Sequence, residues 1–278
     1  MFRFPSPLCA LAVVAAALLP SASAGAGVSL APHRAVYDVK LEQARTGSNV
    51  AGLTGRLVIE LRGSDCEGYT VDFRLVTRFS DADGKSNVTD LRSSTFETGN
   101  AESFRFVTQN FTNREIREET KGAARRKDDS EIEVSLDKPR KKRFALKPDV
   151  LFPTQHLKRI VAAALDGGRT LQVPVFDGSE TGDKVYQTAA VIGGPISADK
   201  PSKDNVPDHE LLHGLTRWPV TISYYETAEG TGEQTPVYEV SFDLYANGVS
   251  RDLLLDYGDF SIRGALTEID ALPQPSCP

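Results

Sequence analysis

The residues best placed to do chemistry together are His209-Glu210-Leu211-Leu212-His213. They match H-E-x-x-H, in which two imidazoles one helical turn apart hold zinc and the glutamate acts as general base. Such a site would make the chain a zinc hydrolase acting through His209, Glu210 and His213. The surroundings argue against it. Pro207 and Gly214 bracket a segment barely two turns long, and no histidine follows His213. Glu226, Glu229 or Glu233 would complete the set only if the chain folded back, yet the residues between alternate as a strand. No catalytic residue, metal or cofactor is therefore expected, and the hydrolase is the least favoured reading. His33 and His156 read as local hydrogen-bonding groups. No G-x-S-x-G elbow occurs. Asp81-Ala82-Asp83-Gly84 begins like a calcium loop but puts Arg92 at the twelfth position, where a bidentate glutamate is required.

The three cysteines carry a different chemistry. Met1-Phe2-Arg3-Phe4, an apolar run from Leu8 to Leu19, and Ala22-Ser23-Ala24 have the form of a secretory signal, too short to span a bilayer comfortably. Residues 1–24 are expected to be removed, with cleavage between Ala24 and Gly25 and residues 25–278 forming one exported domain. Cys9 leaves with the signal, and Cys66 and Cys277 remain in a compartment where disulfides persist. A bond between them would close a loop of about 210 residues, which chain entropy rates at ~5 kcal/mol. The formal charge is −6, and losing Arg3, the one charged side chain in the signal, takes it to −7. That balance argues against nucleic acid as a partner. No later stretch is apolar enough to span a membrane.

Two kinds of element must position these groups. Pro153-Thr-Gln-His-Leu-Lys-Arg-Ile-Val-Ala-Ala-Ala-Leu165 reads as a helix, with Leu157, Ile160, Val161, Ala164 and Leu165 on one apolar face. Pro153 suits a first helical position, Thr154 can cap or open the first turn, and Gly167-Gly168 stops the helix. Everything else alternates with period two. Tyr37, Val39 and Leu41 face one way, as do Leu57, Ile59 and Leu61, then Tyr69, Val71, Phe73 and Leu75. Phe104 and Phe106 continue the pattern, as do Ile132, Val134 and Leu136. Beyond the helix come Leu171–Val175, Lys184–Ile192, Trp218–Tyr224, Tyr238–Leu244, Leu253–Leu255 and Phe260–Leu266. Asp83-Gly84 and Asn247-Gly248 mark hairpins. Residues 112–129 are charged without clear period and read as an exposed polar hairpin. Lys138-Pro-Arg-Lys-Lys-Arg143 reads as a solvated turn with a possible second use against anionic lipid. Residues 193–208 read as a loop or arm. This pattern predicts a mainly β fold, antiparallel, curled into a broken or nearly closed barrel with one principal helix. The helix face is expected to pack against inward residues such as Phe73, Phe242 or Leu244.

Several stretches carry a family likeness: Ala31-Pro-His-Arg-Ala-Val-Tyr37, Cys66-Glu-Gly-Tyr69, Thr89-Asp-Leu-Arg-Ser-Ser-Thr-Phe-Glu97, Leu151-Phe-Pro-Thr-Gln-His156 and Val175-Phe-Asp-Gly-Ser-Glu180. In these the chain resembles the EipB-type cell-envelope integrity proteins of Gram-negative bacteria. The resemblance implies a periplasmic β-spiral, a hollow broken cylinder with an associated helix. It also implies a bond between the cysteines at Cys66 and Cys277, and a role in envelope integrity with no assigned reaction. The fold is similar to that of periplasmic lipoprotein carriers, an analogy of fold alone.

Two readings stand ahead of the hydrolase. One is a non-enzymatic envelope protein that binds an envelope partner. The other is a carrier or sensor of a lipid or other hydrophobic ligand inside the curled sheet. The cysteine pairing is testable directly. Peptide mapping without reductant is expected to recover the Cys66 and Cys277 peptides linked, and reduction is expected to lower the melting temperature. Two freely alkylated thiols would contradict it.

Overall fold

The computed structural model describes residues 27–127, 130–200, 209–226 and 234–277. The predicted cleavage point, Ala24–Gly25, and part of the 193–208 loop lie outside them. The period-two segments form fourteen strands. Before the helix come β1 (His33–Ala44), β2 (Val50–Ser64), β3 (Gly68–Asp81), β4 (Ser86–Glu97), β5 (Ser103–Thr112), β6 (Glu115–Lys127), β7 (Glu131–Lys138) and β8 (Lys142–Leu146). The helix α1 is Pro153–Leu165. After it come β9 (Thr170–Val175), β10 (Tyr186–Ile192), β11 (Arg217–Glu226), β12 (Tyr238–Tyr245), β13 (Ser250–Asp256) and β14 (Phe260–Ala271).

All fourteen belong to one antiparallel sheet in the order β8 to β1, then β14 to β9. The long-range join is β1 with β14, where His33 lies opposite Ala271 and Ala44 opposite Phe260. β8 and β9 are the free edges, so the sheet curls without closing into a barrel. Aromatic packing spans the gap instead of hydrogen bonds. Phe144 on β8 meets Phe176 just past β9 edge-on, ring centroids 6.4 Å apart. Phe176 also packs edge-on against Phe106 at 5.7 Å, and Phe104 stacks on Phe152 at 5.1 Å. Phe152 immediately precedes the helix, and Leu151 bridges to Val175. One cluster thus holds both free edges and the helix entry.

Alternation sorts the two faces. Inward, Leu57, Ile59 and Leu61 sit opposite Leu75, Phe73 and Val71. Outward, Arg56 lies opposite Asp38 and donates to it at 3.1 Å, and Arg74 grips Asp90 through two bonds of 3.0 and 2.9 Å. That grip holds the Asp90 carboxyl down to about 2. Exposed pairs of this kind contribute at most about 1 kcal/mol each. Their consequence is a wet outer wall, unlike the apolar outer band of a membrane barrel.

Residues 112–129, expected to be a loosely patterned exposed hairpin, contain β6. The β5–β6 turn uses Asn113 and Arg114 in the left-handed region, φ 51° and 73°. On β6 Thr120 and Ala124 are buried while the charged neighbours point outward. The basic run 138–143 is exposed and includes the start of β8, a strand the sequence pattern did not separate from the turn.

The helix has the predicted bounds. Gly167 takes φ 77°, and the Gly168 N–H closes on the Ala163 carbonyl at 2.7 Å. Ile160 and Val161 are fully buried, and Ala164 nearly so, in a cluster with Ala190, Ile192, Val220 and Leu244. Leu244 was among the expected partners; Phe242 flanks the same cluster, and Phe73 belongs to a neighbouring one. Leu157 is partly buried against Leu30, Leu61 and Tyr69. Leu165 corrects the expected face, because it is 56% exposed. Eight residues of helix leave it about 80° round from Leu157, in the last turn. Ile160→Asp is therefore expected to cost several kcal/mol by placing an unpaired charge against apolar surface, and Leu165→Asp only about 0.5 kcal/mol. Chemical denaturation of the two variants checks the contrast.

Candidate functional site

The helix has no side-chain cap of its own: Phe152 precedes it in extended conformation. Thr154, expected to cap or open the first turn, instead donates its N–H to Glu97 Oε2 at 2.8 Å, and the Gln155 N–H reaches Oε1 at 2.9 Å. Glu97 is the last residue of β4, inward in phase with Leu91, and only 3% exposed. Its carboxylate supplies the acceptors and the negative charge that a helix N-terminus lacks. Burial nonetheless raises its pKa to about 7, against the downward pull of these bonds and of Lys158. Lys158 pairs with Asp65, which also accepts from the Tyr69 hydroxyl at 3.1 Å. Asp65 adjoins Cys66, whose Cα lies 5.6 Å from that of Cys277, at disulfide distance. The first turn of the helix is thus tied to β4, to the β2–β3 turn and, through the cysteines, to the C-terminal segment.

Below that turn lies a cavity of about 520 Å³. Near the helix it is lined by Leu30, Leu61, Val71 and Leu157, and along one wall by Ser93, Thr95 and Thr108. The rest of the lining includes Asp177, Ser179, Tyr224, Tyr238 and Tyr257. The aromatic groups are continuous. Tyr224 stacks on Tyr238 at 4.4 Å, Tyr186 meets Tyr224 edge-on at 6.0 Å, and Tyr257 lies 6.4 Å from Tyr238. Burial pushes the Tyr224 and Tyr238 phenols well above their usual range, so they stay neutral donors. Asp177 accepts the Ser179 N–H at 2.9 Å. It is partly accessible where it faces the cavity, and the protein packed around the rest of it raises its carboxyl pKa. The next residue must be small. Gly178 has φ 69°, and a Cβ there would lie 2.4 Å from the Phe106 ring. The cavity's volume falls within the 300–1,000 Å³ typical of small-molecule pockets.

The other sequence candidates stand apart from it. In His209–His213 only Glu210–Leu212 form a short 3-10 turn. His209 precedes it and accepts the Leu211 N–H on Nδ1 at 3.2 Å, and His213 follows in extended conformation. The two imidazoles therefore lack the i, i+4 α-helical geometry that zincin chemistry needs. Among the described residues no cluster of three histidine, cysteine or acidic side chains could hold a metal. His156 is buried, 3.4 Å from the Thr188 hydroxyl, and burial holds it down to about 4, hence neutral. Asp81 accepts from the Asp83 and Lys85 N–H groups of its own turn.

Sequence reasoning missed Glu97, Asp177 and the tyrosine wall. The available signals were a glutamate in an inward phase of β4, and tyrosines at the inward positions 224 and 238 where aliphatic residues would fill a dry core.

Comparison with known proteins bears on the whole chain. The model of the EipB-like family matches residues 24–273. The cell envelope integrity protein EipB of Brucella abortus is 40% identical over 255 residues, covering 90% of this chain and 87% of that protein. The crystal structure of a β-barrel-like protein of a domain of unknown function, DUF1849, from Brucella abortus superposes with a TM-score of 0.81 at 39% identity. It covers 88% of this chain and all of that one.

Glu97→Ala leaves two helix N–H groups without acceptors and is expected to cost about 2 kcal/mol. The raised pKa gives a pH signature. Stability from Glu97 is full below about pH 4.5 and is lost as pH rises through about 7. The advantage of wild type over Glu97→Gln is therefore expected to shrink across that window, by up to about 3 kcal/mol. His156 acts oppositely as pH falls from 6.5 towards 4, but it is common to both proteins and cancels. Urea denaturation from pH 4 to 8 reads the difference.

Proposed function

The chain belongs to the EipB-like family, and from that premise we propose that it is an exported, non-enzymatic periplasmic protein that supports envelope integrity by holding a hydrophobic ligand. In this reading residues 25–278 act as one unit. The envelope role follows the relative's name. The observation that carries the ligand reading is the cavity under the helix: Ile160, Val161 and Ala164 fill one part of the interior, and Leu157 with Pro153 and Thr154 merely roofs another. A helix that filled the whole interior would have favoured a binding scaffold. Among the described residues no helix is long and apolar enough to cross a membrane.

The partner-binding reading keeps one observation of its own. Val88, Ile116, Val237 and Tyr257 are exposed apolar side chains beside the β3–β4, β5–β6, β11–β12 and β13–β14 turns. A partner could sit there.

Complementation separates the two. A deletion strain of the native host is expected to become detergent-sensitive and to be rescued by wild type. Val71→Trp, which fills the cavity, is expected to fail to rescue although it folds and accumulates. Rescue by this variant would favour the scaffold. Native mass spectrometry of wild type from its own periplasm is expected to show one bound apolar molecule that organic extraction removes.

A further inference from the structure

The cavity has a direction. Its apolar end, Leu30, Leu61, Val71 and Leu157, lies under the first turn of the helix. Its phenols, Tyr224 and Tyr238, lead away to Tyr257, which reaches the surface at 40% exposure, while Asp177 and Ser179 follow Phe176, whose N–H bonds the Leu151 carbonyl beside the helix entry. Tyr186, Tyr224, Tyr238, Tyr257 and Phe260 form an unbroken series of ring contacts from interior to rim. A ligand entering along that series meets the phenols first and the aliphatic floor last.

The lining also has a sign. It contains no lysine, arginine or histidine, and its one ionisable acid is Asp177. The cations nearby are committed elsewhere. Lys184 lies 2.5 Å from both Glu180 and Glu226, and Lys158 is paired with Asp65. The remaining polar groups are uncharged hydroxyls, which satisfy a hydroxyl, an amide or an ammonium equally well. A carboxylate or phosphate head would instead bring a second negative charge beside Asp177, where the lining offers no compensating cation. Burial and the neighbouring Glu180 already make the single charge on Asp177 unfavourable. The volume, about 520 Å³, is that of a pocket for one drug-sized molecule.

Resting on the ligand reading above, we infer that the site takes a single-chain amphiphile whose head carries no negative charge, bound with its tail among Leu30, Leu61 and Leu157 and its head among the phenols that Asp177 adjoins. Anionic lipids that meet the basic run 138–143 would do so on the outer surface, not here.

The test uses the mature, oxidised chain and the neutral fluorescent probe N-phenyl-1-naphthylamine, displaced by dodecanol, dodecylamine or dodecanoate at neutral pH below micellar concentrations. The probe is expected to bind saturably at one site. Dodecanol and dodecylamine are expected to displace it at concentrations at least ~10-fold lower than dodecanoate. Asp177→Asn keeps the acceptor for the Ser179 N–H and so preserves the turn. It is expected to bring dodecanoate to within about threefold of dodecanol and to remove any advantage of the amine. Leu157→Trp is expected to weaken all three competitors alike, because it blocks the tail end. If dodecanoate competes as well as dodecanol in wild type, the assigned ligand class is wrong, while saturable probe binding leaves the cavity reading intact. If Leu157→Trp changes nothing, the orientation is wrong. If the probe finds no saturable site, the cavity reading fails and the inference goes with it.

Discussion

Fourteen strands curl around more space than their own side chains fill. About eight strands make a barrel whose interior side chains just meet. A larger sheet must collapse, take in another element, or keep a cavity. This protein does the second and third together. The helix enters at the one place where the strand sequence breaks, between β8 and β9, and those are the free edges of the sheet. Insertion of the helix and failure of the barrel to close are thus the same event in the chain. The edges that cannot pair are held by the rings of Phe144, Phe176, Phe106, Phe104 and Phe152, which pack without needing strand register.

Where the helix stops determines what is left open. Its middle and later turns pack on β10, β11 and β12 through Ile160, Val161 and Ala164. Its first turn is held back over the cavity by the Glu97 carboxylate, a polar contact at an inward position where an aliphatic side chain would have filled space. The cost of burying that acid shows in its raised pKa, and two helix N–H bonds offset part of it. The next turn is tied through Lys158 to Asp65, the residue before Cys66. The roof of the cavity is therefore braced by charge and hydrogen bonding, its floor by aliphatic packing, and its far wall by stacked phenols.

Four of the stretches that carry the family likeness meet around this roof. Thr89–Glu97 supplies the carboxylate and Leu151–His156 the helix start. Cys66–Tyr69 lies beside Lys158, and Val175–Glu180 brings Asp177 to the cavity wall. None is a catalytic motif. Each contributes a short-range fixture, a cap, a turn or an aromatic contact, to the boundary of one space.

The local part of this architecture was legible from residues alone. Period-two alternation in 57–61 and 69–75 is a property of neighbouring side chains on one pleated strand, so it survives into β2 and β3 with the predicted faces. The helix bounds were readable because Pro153 and Gly167-Gly168 act on their own backbone. Even the approach of Cys66 to Cys277, at disulfide distance here, was suggested by the even count left once the signal-like segment is set aside. The tertiary structure decided what distant positions do to each other. Glu97 meets Thr154 and Gln155 only after register has accumulated across strands and the helix has been laid back over them. Leu165 looks apolar-facing by spacing, yet it is exposed while Ala164 beside it is buried, because the helix turns Leu165 away from the packed face. His209–His213 has the letters of a zinc site but adopts a 3-10 turn that separates its imidazoles. Asp177 reads as one more turn residue until the curl of the sheet encloses it. Alternation and helical period state which way a side chain points; what stands opposite it depends on how many strands the sheet has turned through.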